Sequence, residues 1–123
     1  MMGRVEEFSR DGKDFVCIDL SGLKDNDIFV EVTKDIEAVI AKHPPKSVYT
    51  ITNVEDIRFD TSSKKLISAY MEHNAPYVKC GAVIGLDGVK KMFVNAVMQM
   101  SGRKNMHFAY TKESAIEWLL QQD

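Results

Sequence analysis

The sequence predicts an α/β fold, a mostly parallel sheet of about five strands covered by four helices. Three observations carry this prediction. Runs rich in β-branched residues alternate with stretches of helical apolar spacing along the whole chain. Residues 76–103 (PYVKCGAVIGLDGVKKMFVNAVMQMSGR) pass from a buried-looking strand through a glycine turn straight into an apolar helix, which is the repeating unit of such a fold. Proline and glycine fall at the joints between these stretches. With 123 residues, 45% of them hydrophobic, the chain holds material for one core and reads as a single domain over residues 1–123.

Taken in order, residues 4–10 (RVEEFSR) read as a short strand, and Asp11-Gly12-Lys13 is a hairpin turn signal. Asp14–Leu20 (DFVCIDL) is almost continuously apolar, as in a strand buried on both faces. Helix one is expected from Asp25 to Lys42, with Ile28, Phe29, Val32, Ile36, Val39 and Ile40 inward. His43-Pro44-Pro45 ends it, because proline lacks an amide and restricts its predecessor. Ser47–Asn53 is the next strand, residues 54–60 a loop, and Thr61–Asn74 helix two. Pro76 closes that helix. Tyr77–Ile84 is the fourth strand, Leu86–Ser101 helix three, and Gly102 the expected left-handed cap. Asn105–Tyr110 is the last strand, Thr111 an N-cap, and Lys112–Gln121 the last helix, with Trp118 as a partly buried anchor. Parallel neighbours need a crossover helix, which sets the parallel character of the sheet.

Charge and composition exclude several classes. A net charge of −2 with interleaved Lys/Arg and Asp/Glu argues against a nucleic-acid partner. No apolar run is long enough to span a bilayer and the N-terminus lacks a signal-peptide core, so a cytoplasmic location is expected. Cys17 and Cys80 lie in apolar strands, where a free thiol behaves as a small hydrophobe. His43, His73 and His107 are scattered, so neither a metal site nor a cofactor is expected. Gly85-Leu86-Asp87-Gly88 is neither a dinucleotide fingerprint nor a P-loop and reads as a turn with a helix cap.

Two stretches remain as candidate sites. Asp60, Thr61 and Ser62 stand where a helix N-cap belongs, with a side chain accepting the first-turn amides that lack helical partners. On helix three, 100° spacing gathers Leu86, Val89, Phe93, Ala96, Val97 and Met100 into a core stripe. Val94 and Met98 then fall beside Lys91 on the far side. An apolar pair on a solvated face suggests a contact surface, so Lys91, Val94 and Met98 are read as a candidate homodimer interface.

The segment TNVEDIRFDTSSKKL, which leaves a strand and enters a helix, resembles the signature of STAS domains of the SpoIIAA type. An Asp-Ser-Ser-Gly motif opens the second helix in that family. Asp60, Thr61 and Ser62 match it, Thr61 falls at the phosphoacceptor position, and Ser63 stands where the family has glycine. The 77–103 block is similar to small bacterial proteins of the STAS/SEC14-like branch. The resemblance implies a SpoIIAA-like βα superhelix without enzymatic activity, binding a protein partner or a hydrophobic small molecule. The alternative it implies is a phosphorylation-controlled antagonist switching at Thr61. Kinship with SEC14-type carriers further implies an apolar pocket between sheet and helices, walled by Leu66, Ile67, Tyr70, Met71, Phe93 and Val97.

Overall fold

A computed structural model describes residues 4–58, 60–101 and 105–122; the side chains of 89, 90, 93, 97, 100 and 101 lie outside that description. The elements are β1 (Val5–Arg10), β2 (Lys13–Asp19), α1 (Asn26–Ile40), β3 (Val48–Asn53), α2 (Thr61–Asn74), β4 (Val78–Ile84), α3 (Gly88–Ser101), β5 (Met106–Phe108) and α4 (Lys112–Leu120). The five strands lie in the order β1-β2-β3-β4-β5. β1 pairs antiparallel with β2 through a tight turn in which Asp11 and Gly12 both have positive φ. The other three pairings are parallel. The expected elements are therefore all present, with ends moved by one or two residues. The expected cap at Gly102 lies outside the described residues.

Strand alternation divides the interior into two layers. Val16 and Ile18 of β2, Val48 of β3 and Val83 of β4 point to one face, where they meet Phe29, Val32, Ile36 and Ile40 of α1 and Ile67, Tyr70 and Met71 of α2. Leu86 and Met98 pack against the same cluster. Phe15, Tyr49, Ile51, Cys80 and Ala82 point the other way and meet Ala115, Ile116 and Leu119 of α4. Three helices thus cover one face and one helix covers the other. Each parallel strand is reached by a crossover of the same hand, which keeps α1, α2 and α3 together. Contact is closest where Gly81 of β4 passes Thr50 and Met106; a Cβ there would sit 2.6 Å from Thr50 Oγ1 and 2.7 Å from Met106 Sδ.

α4 is held at both ends. Thr111 and Ser114 form a capping box at its start. At its end the Lys13 ammonium donates to the Leu120 carbonyl at 2.9 Å and also to that of Gln122, putting a cation where the helix carbonyls lack partners. Trp118, half-buried, stacks on His107 of β5 with centroids 4.2 Å apart and planes at 8°.

Three expectations need correction. Val94 is 5% exposed and Met98 is half-buried against the core, so the pair does not form an exposed patch beside Lys91. Apolar residues run almost all the way round α3, and periodicity alone does not choose its inward side. The solvent side is Met92, Asn95 and Gln99. Lys91 is half-buried, its Nζ 5.1 Å from the Tyr110 ring centroid. Ile28, expected inward, is 46% exposed, because it lies in the first turn of α1, off the Phe29-Val32-Ile36-Ile40 stripe. The third correction concerns the apolar pocket. Between the sheet and its three helices lies a space of only about 60 Å³, lined in part by Ile67, Met71 and Val94. Ligand sites commonly measure ~300 Å³ or more. Leu66 is partly buried, Tyr70 packs edge-on against Phe29 at 6.2 Å, and the side chains of Phe93 and Val97 lie outside the described residues. Both cysteines are free, as expected: Cys17 of β2 and Cys80 of β4 are separated by β3.

Candidate functional site at the carboxyl end of the sheet

The loops leaving the carboxyl ends of β2, β3 and β4 lead into the amino ends of α1, α2 and α3, and backbone hydrogen bonds lace them together. Leu20 N–H donates to Asn53 O at 2.8 Å, Gly22 N–H to Glu55 O at 2.9 Å, Val54 N–H to Ile84 O at 3.0 Å and Arg58 N–H to Leu23 O at 2.9 Å. Lys24 and Asp56 add an exposed ion pair at 3.3 Å, which contributes little in water. The result is a cross-braced rim, and the Asp60–Ser62 segment sits on it.

The cap of α2 is Asp60. Its Oδ1 accepts the Ser63 amide at 2.9 Å and the Ser62 hydroxyl at 2.6 Å, and the Arg58 guanidinium pairs with its Oδ2. Ser63 returns the bond: its Oγ accepts the Asp60 amide at 2.9 Å and closes a capping box. That supplies a reason for serine where the resembled motif has glycine. The Ser62 hydroxyl also accepts from Asn26 Nδ2 at 3.1 Å, tying the first turn of α2 to that of α1. Thr61 and Ser62 are both exposed, and among the described residues the Thr61 hydroxyl makes no hydrogen bond.

The Ser62 hydroxyl, the Ser63 amide and the Arg58 guanidinium all favour the ionised form of Asp60 and hold its carboxyl well below the usual carboxylate range. A carboxylate so weakly basic is poorly suited to take a proton near neutrality, and well suited to cap a helix. The sign of the pH effect follows. The folded pKa is depressed, so this group stabilises the fold above about pH 4, its ordinary range, and loses that contribution as pH falls towards the folded value. Asp60→Ala is expected to lower the unfolding midpoint at pH 7. The gap from wild type should shrink steadily in urea titrations taken from pH 5 down to pH 2. A gap independent of pH would mean that the charge contributes nothing.

A feature of this end that periodicity did not reveal is its exposed apolar side chains. Ile28 (46% exposed), Met92 (75%) and Tyr110 (88%) are the large hydrophobics left exposed among the described residues. They lie in the first turn of α1, the amino half of α3 and the link from β5 to α4, all on the side of the sheet's carboxyl ends. Each sits beside polar residues in sequence, and only the topology brings them to one end. Among the described residues, no group of three or more His, Cys, Asp or Glu is placed to hold a metal, and no helix is long and apolar enough to cross a membrane.

No protein-family model matches the chain, and no curated protein matches it. Among solved structures it is similar to the anti-sigma factor antagonist SpoIIAA in its unphosphorylated form. The likeness covers 97% of this chain and 98% of that one, with a TM-score of 0.59 and 22% identity. That likeness, over almost the full length of both proteins, gives this chain, with its singly wound sheet and one antiparallel edge strand, a SpoIIAA-like fold.

Proposed function

We propose that this chain is a non-enzymatic regulatory docking domain that binds a protein partner through the carboxyl end of its sheet. The observation that carries the reading is that Ile28, Met92 and Tyr110 are all exposed on the side of the sheet's carboxyl ends, which also bears Asp60, Thr61 and Ser62. Exposed apolar side chains framed by polar loops are what a protein interface uses at its centre, and a cross-braced rim presents them with little ordering cost. Docking ranks above a carrier role in the interior because the space between sheet and helices is about 60 Å³.

The test compares tagged wild type with Ile28→Glu, Met92→Glu and, at the opposite end, Lys46→Glu, each used to capture proteins from its own cells with quantitative mass spectrometry. A partner retained by wild type and Lys46→Glu, and lost from the other two, supports the reading. A partner indifferent to Ile28 and Met92 overturns it.

A phosphorylation switch is the second reading, and the Ser62 hydrogen bonds favour it. A phosphate on Ser62 would break its bond to Asp60 and set a dianion beside an ionised carboxylate, loosening the rim. On Thr61, the acceptor position that the motif resemblance implies, the same group would meet the favourable end of α2 and leave the cap intact. Ser62→Glu and Thr61→Glu therefore separate the two positions: the first should weaken capture of the partner, the second should change it only by direct contact.

A further inference from the structure

The face of the sheet that carries α4 is only partly covered. α4 packs over β3 and β4 and reaches Phe15 of β2, while towards the carboxyl end of β2 Cys17 and Asp19 stay half-buried and Glu6 of β1 exposed. Beside the first turn of α4 a groove of about 290 Å³ opens there, at the carboxyl ends of β2, β3 and β4. Its floor is Cys17, Ile51 and Ile84, one residue from each of three adjacent strands and all on the same face. Arg4 and Lys112 stand at its rim. The volume is several times that of the interior space.

We propose that this groove binds a small amphipathic monocarboxylate, its chain on the apolar floor and its carboxylate on Lys112. Size and charge each narrow the class. At roughly 30 Å³ per water-sized group, the volume suits a ligand of about ten heavy atoms. The rim also carries Glu6 and Asp19, so its two cations are balanced by two anions. A phosphate ester or other polyanion meets those carboxylates, whereas a monoanion need only displace one. The one to displace is Glu6, whose pair with Lys112 spans 3.3 Å between well-exposed side chains and so costs little to exchange. Arg4 is committed elsewhere, donating from Nη1 to the Asp19 and Ser21 carbonyls at 3.0 and 3.2 Å, and it fixes the wall. Burial pushes the Cys17 thiol up, which keeps the floor uncharged. α4 begins at the Lys112 wall, and its positive end adds to the attraction.

The site lies on the face opposite α1–α3 and does not depend on the docking reading. The experiment titrates isotope-labelled protein with octanoate, with hexan-1-ol and with inorganic phosphate, following amide shifts of Cys17, Asn53 and Ile84. Octanoate should move these amides to saturation in the millimolar range, while hexan-1-ol and phosphate should not. Lys112→Glu places an acid in the first turn of a helix, where it is tolerated, and its urea midpoint checks that the fold is kept. In that variant octanoate binding should weaken by at least about tenfold, the scale of a lost charged hydrogen bond. No saturable shift with octanoate, equal binding of hexan-1-ol, or undiminished affinity in folded Lys112→Glu would each overturn the proposal.

Discussion

Replacing Gly85 with alanine is expected to cost about 3 kcal/mol, more than most single substitutions. Gly85 has φ +88°, where an L side chain is strained by about 1–2 kcal/mol. It also lies against the loop that precedes α2. An added Cβ would come 2.7 Å from the Glu55 amide nitrogen, 3.0 Å from Glu55 Cα and 2.7 Å from Asn53 Oδ1. Two of those atoms are backbone, and Asn53 Oδ1 is itself engaged by the Glu55 amide at 3.0 Å, so relief requires moving the rim. Gly22→Ala is the control: φ there is +73° with nothing within 4 Å of the added carbon, so it should show the strain alone. In urea the Gly85 variant should unfold about 1.5 M earlier than wild type, and Gly22→Ala by half that or less. Equal shifts would show that the contact with Glu55 does not matter.

Leu119→Ala should cost about 3 kcal/mol as well, by another route. Leu119 is 0% exposed and sits among Phe15, Tyr49, Ile51 and Ala82, where truncating leucine typically costs 2–5 kcal/mol. α4 has nine residues, too few to hold a helix alone in water, so it persists by docking. The single tryptophan of the chain reports this directly, because Trp118 is on α4 and stacks on His107 of β5. Its fluorescence transition in urea should move together with far-UV circular dichroism in wild type and run ahead of it in the variant. A loss below about 1 kcal/mol would mean that the neighbouring side chains close the cavity.

The fold was legible because its signals are local and redundant. The prolines after His43 and the cap residues from Asp60 at the start of α2 mark element ends through backbone chemistry that needs no tertiary information. β3 announces itself by its β-branched residues, and β4 because a strand covered on both faces is apolar at nearly every position. The orientation of α3 was not legible. With valine, methionine, alanine and phenylalanine spread round the helix, Val94 and Met92 are equivalent to a periodicity argument, and contact with α2 and the sheet decides which is buried. At the candidate site, the capping role of Asp60 could be read from its type and place. The bond from Ser62 across to Asn26 and the exposure of Ile28, Met92 and Tyr110 at the same end of the sheet could not, since they depend on how the helices pack. The groove at Lys112 was hidden for the same reason. It exists because a nine-residue helix is too narrow to cover a five-stranded sheet.

The strand order β1-β2-β3-β4-β5 also has a kinetic consequence. Every strand is hydrogen-bonded only to its neighbours in sequence, and each parallel pairing closes a loop that contains a single helix. The entropy of loop closure can then be met in instalments, one βα unit at a time, with each new strand templated on the edge left by the one before. Sheets whose order jumps across the middle must close a long segment before any central pair forms. By this measure the chain should refold quickly for a parallel-sheet protein.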